Sequence, residues 1–342
     1  MYNPDAYIEN LLDRLEQKRS EDQRPWLERK HALRGAVTQA LGSFGEEGLP
    51  PLDPVVLERD EVDGLIRERL EYTTAHGLRV PAYAVYPKEA LAKGKLPAVL
   101  AWHGHGYGVR ESVGYAVDGS SNKDNPGCHN NFVLELAKKG LFVLTPEVVG
   151  FGSRKLEEDM SAPEANANSC YMLSVALLMA GKTLAGLRVF EAVRAADYLL
   201  SRDEIDPDRL GCIGFSGGGV IASLSSALDS RIKASVICGY TNTYRGSILD
   251  RRHCLDNYVP GTLVHAEMPE VIGLIAPRPL FIESGAGDHL FPERHVRHAI
   301  EVLRGIYEKE GCAERLQFDI HEGKHEISGR TSFDWLASVL RS

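Results

Sequence analysis

The residues best suited to covalent chemistry lie in one glycine-rich turn, Gly214-Phe215-Ser216-Gly217-Gly218-Gly219. The run Arg209-Leu210-Gly211-Cys212-Ile213 before it reads as a buried strand, and Val220-Ile221-Ala222-Ser223-Leu224 after it as an apolar helix, so Ser216 sits on a strand-to-helix turn. Glycines two positions before and after suit a backbone that bends too sharply for Cβ atoms, and no other serine in the chain has both. A serine held this way presents its hydroxyl as a nucleophile. The bland alternative is an ordinary glycine-rich loop between a strand and a helix.

A serine hydroxyl needs a base to take its proton and an acid to orient that base. His321-Glu322-Gly323-Lys324-His325-Glu326 follows the alternating run Arg315 to Ile320, and His325 is the candidate base. The same letters fit H-E-x-x-H, in which two histidines one helical turn apart would bind zinc. That reading needs a helix, whereas the preceding strand pattern and Gly323 favour a loop. The candidate acid is Asp288, in Ser284-Gly285-Ala286-Gly287-Asp288-His289-Leu290-Phe291-Pro292, with Glu283 at the end of the preceding strand in reserve. Alone, Asp288 reads equally well as an Asx-turn residue before the next helix. The loop His103-Gly104-His105-Gly106 follows another apolar strand, and the amides of His105 and Gly217 are candidate donors to a developing oxyanion. The side chains of His103 and His105 suggest a metal but lack a third ligand, and Cys128 beside His129 is adjacent only in sequence.

These loops must be placed by strands. Leu96 to Trp102, Gly140 to Pro146, Arg209 to Gly214, Ile232 to Cys238, Pro279 to Glu283 and Arg315 to Ile320 alternate with helical stretches, including Asn131 to Lys139 and Glu293 to Tyr307. A long helical stretch over residues 171–201 carries a break near Gly181 and Gly186. Such alternation predicts a mostly parallel sheet with helices on both faces and a site at the carboxyl ends of the strands. Upstream, residues 65–74 and 79–86 flank Ala75-His76-Gly77 as an antiparallel hairpin. Two amphipathic stretches, one with Ile8, Leu11, Leu12 and Leu15 and one with Trp26, Leu27, Leu33, Val37 and Leu41, predict an N-terminal helical extension that packs on the main domain. Self-association through that stripe is the rival reading. Residues 1–54 are thus read as extension and linker and residues 55–342 as the catalytic domain.

The composition, 43% hydrophobic and 25% charged, suits a globular chain, and a net charge of −9 without a basic run argues against nucleic acid as partner. No run approaches 18 apolar residues and the first residues carry no basic, apolar leader, so a membrane is not expected and the cytoplasm is. Six scattered cysteines form no C-x-x-C pair and predict free thiols.

The order Ser216, Asp288, His325 resembles that of the α/β-hydrolases. Trp102-His103-Gly104-His105-Gly106, Pro146-Glu147-Val148-Val149-Gly150-Phe151-Gly152-Ser153-Arg154, Asp206-Pro207-Asp208-Arg209, and Ile275-Ala276-Pro277-Arg278-Pro279 resemble dienelactone hydrolase-like and acetyl xylan esterase-like carboxylesterases. The resemblance spans about residues 58–340 and implies an α/β-hydrolase fold and a serine carboxylesterase for small acyl esters, acetyl among them. It implies Ser216 as nucleophile, Asp288 as acid, His325 as base and no cofactor or metal. True dienelactone hydrolases use cysteine where this chain has Ser216. A peptidase or acyltransferase on the same three residues, or a non-catalytic binding protein on a hydrolase scaffold, remains the alternative. Specificity is expected in residues 107–130, 155–169 and 240–270, with Tyr107, Arg154, Tyr240 and Tyr258 as candidate substrate contacts to a small-molecule ester.

Overall fold

The strands that lead into the candidate loops belong to one sheet, and the central ones are apolar because they are covered on both faces. The computed structural model describes residues 2–90 and 94–342. Nine strands are described: β1 Val55–Val62, β2 Leu65–Ala75, β3 Leu78–Pro87, β4 Leu96–Trp102, β5 Phe142–Pro146, β6 Ile205–Phe215, β7 Ala234–Cys238, β8 Leu280–Gly285 and β9 Leu316–His321. They form a single sheet in the order β1-β2-β3-β5-β4-β6-β7-β8-β9. Pairing is antiparallel from β1 through β3 to β5 and parallel from β5 to β9. β4, β5, β7 and β8 are buried at every position. This is the signature of strands sandwiched between helical layers.

The chain leaves β4 to one side to form β5 and then returns to the other side for β6. The strand order therefore reverses between β4 and β6, and the crevice at such a switch point is where sites form in open α/β sheets. Trp102 pairs with Gly214 there, so the loop after β4 and the turn after β6 leave the sheet at the same height.

The expected elements are present with small shifts, and three differences are instructive. β1 was not foreseen: seven of its eight residues are exposed and Glu58, Arg59, Asp60 and Glu61 sit in its middle, so it has no apolar alternation to read. The helical stretch over residues 171–201 is two helices, Cys170–Met179 and Leu184–Leu200, broken before Leu184 and not at Gly186. Gly186 lies inside the second helix, where a Cβ would come 2.1 Å from the Leu41 carbonyl oxygen. It is a packing contact with the N-terminal helix. Finally, only one N-terminal helix packs as expected. Helix Trp26–Leu41 buries Trp26, Leu33, Val37 and Leu41 in the main core, whereas helix Asp5–Ser20 buries no residue completely. The first helix is held instead by Glu9, Asp13 and Glu16 gathered around Arg245.

Candidate active site

The turn after β6 has the geometry that its glycines imply. Ser216 takes φ 53° and ψ −118°, a conformation costly for a residue with a side chain, and its amide is tied to the Cys238 carbonyl at 2.9 Å. A Cβ on Gly214 would fall 2.1 Å from the Gly218 carbonyl oxygen, and one on Gly218 would fall 2.1 Å from that of Trp102. The helix Gly217–Leu228 can start under the end of β4 only because both positions lack a side chain. The result holds Ser216 at the floor of a cleft of about 220 Å³.

His325 reaches Ser216 from β9. The segment after His321 is a loop, so His321 and His325 do not share a helix face and the zinc geometry expected of H-E-x-x-H is not formed. The loop folds back over β8, where a Cβ on Gly285 would lie 2.0 Å from the Lys324 carbonyl oxygen. His325 Nε2 stands 2.8 Å from Ser216 Oγ, and its Nδ1 stands 2.7 Å from Asp288 Oδ2. The ring is wedged between Phe215 and Phe291, with centroids 4.9 and 5.7 Å away. Asp288 is buried, and its other oxygen accepts the amides of Leu290 at 2.8 Å and Phe291 at 3.1 Å. One carboxylate thus forms the Asx turn expected of a structural residue and also faces the imidazole. Glu283, the reserve acid, is engaged elsewhere: it accepts the amides of Ser328 and Gly329 and the hydroxyl of Ser332. It anchors the strand of chain that follows His325.

The loop after β4 is held by buried polar groups whose partners are backbone atoms. His103 Nε2 accepts the Val148 amide at 3.0 Å and its Nδ1 lies 2.8 Å from the Gly104 carbonyl. The ring is therefore neutral, and burial pushes its pKa down to about 3. His129 Nε2 accepts the Gly104 amide at 2.9 Å, while its Nδ1 faces Glu111 at 3.0 Å. Glu147, at the end of β5, accepts the amides of Val109 and Ser153 and the Ser153 hydroxyl, joining the loops after β4 and β5. His103 and His105 do not form a metal pair, since His103 is spent on backbone contacts. The His105 ring lies against Gly217, its Nδ1 3.0 Å from where a Cβ on that glycine would be, so the two residues expected to supply oxyanion donors are neighbours.

Of the four candidate substrate contacts, none lines the cleft. Arg154, its side chain 5% exposed, forms a two-pronged ion pair with Glu191 and bonds the Glu147 carbonyl. Tyr240 is buried against Phe291. Tyr258 packs at the edge of the core. Tyr107 bonds the Tyr115 carbonyl and faces a separate groove with Tyr83 and Tyr115. The walls come instead from Cys128, Arg252, His253, Cys254, Asn257 and Leu290. All but Leu290, which follows β8, lie in two of the three long connections expected to carry specificity, but nothing in their types marked them out.

The profile of the acetyl xylan esterase (AXE1) family matches residues 58–245 of the chain. The chain belongs to this family. The esterase is 31% identical over 268 residues to YtaP of Bacillus subtilis (strain 168), an alignment covering 77% of this chain and 84% of that protein. Solved structures share its fold at lower identity. Methylesterase BT1017 matches with a TM-score of 0.69 at 21% identity, over 98% of this esterase and 69% of that chain. The glucuronoyl esterase from Solibacter usitatus matches with a TM-score of 0.65 at 16% identity, over 90% and 92%. Acetyl xylan esterase 1 from Thermoanaerobacterium sp. JW/SL YS485 matches with a TM-score of 0.56 at 17% identity, over 91% and 93%. The protein is a carboxylic ester hydrolase of α/β-hydrolase fold.

Proposed function

We propose that the esterase hydrolyses small acyl esters, acetyl esters above all, through an acyl-enzyme on Ser216. The observation that carries this reading is the position of His325, 2.8 Å from the serine hydroxyl on one nitrogen and 2.7 Å from the Asp288 carboxylate on the other. Asp288 keeps the Nδ1 proton in place and leaves Nε2 free to accept the proton of Ser216 as its oxygen attacks the ester carbonyl. The tetrahedral oxyanion is received by the amides of His105 and Gly217, each worth roughly 3 kcal/mol of transition-state stabilisation. His325 then protonates the departing alcohol, and a water activated by the same nitrogen releases the acid. No step needs a metal or an organic cofactor.

The size of the acyl group follows from the cleft. Its volume of about 220 Å³ is walled by Phe215, Leu290, Phe291 and His253, which leaves little room beyond the reacting carbonyl. Aryl acetates should therefore turn over fastest in a chain-length series, with kcat/KM falling from acetyl to octanoyl, and peptide anilides should not be cut. Equal rates from acetyl to octanoyl would remove the small-acyl reading, and anilide cleavage would favour a peptidase.

A further inference from the structure

Behind the oxyanion loop lies a cluster that ester hydrolysis does not use. One ligand-capable atom from each of His105, Cys170, Cys254 and Asp256 lies within 4.8 Å of the others. Four such donors suggest a soft cation, but a cation is already built in. The buried guanidinium of Arg188 donates to Asp256 Oδ2 and, at 3.2 Å, to Cys170 Sγ. The cluster therefore reads as a held thiolate with a second thiol beside it. Cys170 also opens the helix Cys170–Met179, where unpaired amides favour negative charge. The Cys254 thiol within 4.8 Å holds the Cys170 thiol down to about 5, with the Arg188 charge helping against burial, and the same pairing pushes Cys254 up. Cys170 is buried, whereas Cys254 is part of the cleft wall, so a small reagent in the cleft meets Cys254 and must pass it to reach the Cys170 sulfur behind. The other free thiols differ: burial pushes Cys212 up to about 12 and Cys238 upward too, while Cys128 has no second sulfur in its own cluster with Glu111 and His129.

We propose that Cys170 and Cys254 are an oxidant-reactive dithiol, a modification site for hydrogen peroxide, with Cys170 as the attacking sulfur and Cys254 as the resolving one. The Cys170 thiolate attacks one peroxide oxygen, the O–O bond breaks, and the departing hydroxide takes the Cys254 thiol proton to become water. Cys170 is then a sulfenic acid and Cys254 a thiolate. Cys254 attacks the Cys170 sulfur, the S–O bond breaks, and hydroxide leaves to be protonated by solvent. Two sulfurs have been oxidised to one disulfide and one peroxide reduced to two waters. The bond removes the thiolate from beside His105 and Asp256 and draws Cys254, with His253 and Asn257, away from its place in the cleft wall. The effect on rate rests on the esterase reading above; the chemistry of the pair does not.

The test uses the full, unmutated chain. Peroxide at neutral pH, alkylation of remaining thiols and peptide mapping without reductant should recover a Cys170–Cys254 linked peptide. Hydrolysis of an aryl acetate should fall roughly tenfold or more, as expected when a site wall is displaced by about an ångström, and return with dithiothreitol. Cys170→Ser and Cys254→Ser, each compared with its own untreated rate, should lose the response, and Cys128→Ser should keep it. Oxidation that yields no linked peptide, oxidation confined to Cys128, or stoichiometric zinc on the purified protein with both thiols protected would overturn the proposal. The linked peptide is detected whether or not the protein hydrolyses esters, so failure of one reading is separable from failure of the other.

Discussion

Replacing Asp288 by Asn tests the division of labour between the two carboxylates near His325. Asp288 Oδ1 accepts two backbone amides, at 2.8 and 3.1 Å, and Oδ2 faces His325 Nδ1. In Asp288→Asn the side-chain oxygen must keep the two amide donors, because its NH2 group would meet them donor to donor. The NH2 group then points at His325 and forces Nδ1 to accept. The imidazole proton moves to Nε2, where it points at the Ser216 hydroxyl instead of receiving its proton. The fold keeps its amide contacts, so the thermal midpoint should move by only a few degrees, while kcat falls about 10⁴-fold, or about 5.5 kcal/mol, as for a triad locked in the wrong tautomer. Glu283→Gln should behave in the opposite way. One of its oxygens becomes a donor facing buried donors from Ser328, Gly329 or Ser332, which costs about 1–3 kcal/mol per clash in stability and leaves the tautomer of His325 alone. Aryl acetate kinetics on folded fractions, paired with urea midpoints, separate the two. If Asp288→Asn loses less than tenfold in kcat, or if Glu283→Gln shows the kinetic collapse at unchanged stability, the assignment of the acid is wrong.

Two further outcomes follow from the same geometry. Gly218→Ala would set a Cβ 2.1 Å from the Trp102 carbonyl oxygen and 2.6 Å from its carbon, both in the strand beneath. Backbone must move, at about 3 kcal/mol or more, and soluble yield and urea midpoint should drop sharply; a midpoint equal to the parent's would show the turn to be looser than described. His103 makes stability depend on acid. Burial holds its folded pKa down to about 3, whereas an unfolded imidazole titrates near 6.5, so between those values the unfolded chain carries the extra proton. Stability from this group is complete above pH 6.5 and is lost as pH falls toward 3, up to about 5 kcal/mol in all. Urea midpoints at pH 7 and pH 4 should differ less in His103→Asn than in the parent. Equal differences would mean the ring is not held neutral.

The catalytic candidates were legible because the fold places chemistry by a rule that sequence can follow: each of Ser216, Asp288, His325 and the His103–Gly106 loop comes directly after a strand that the apolar pattern marks. The neighbouring order of those strands was not legible, since nothing local says that β5 and β6 flank β4. Arg154 shows the limit most plainly. As a polar residue in a loop near the site it suggested a substrate contact, but its partner Glu191 lies 37 positions away on a helix that only the folded sheet brings close. Glu147 follows the same strand-end rule, but its partners Val109 and Ser153 sit in two separate loops that only the fold brings together. His129, Asp256 and Cys254 follow no strand and repeat no spacing, and their roles appear only when three connections meet over the switch point.

In the proposed cycle Ser216 carries the acyl group. Reaction with a fluorophosphonate, followed by intact-mass measurement and peptide mapping, tests it directly. One adduct per chain on the Ser216 peptide, absent from Ser216→Ala together with aryl acetate turnover, is the predicted result. Turnover that survives Ser216→Ala and disappears with a chelator would contradict it.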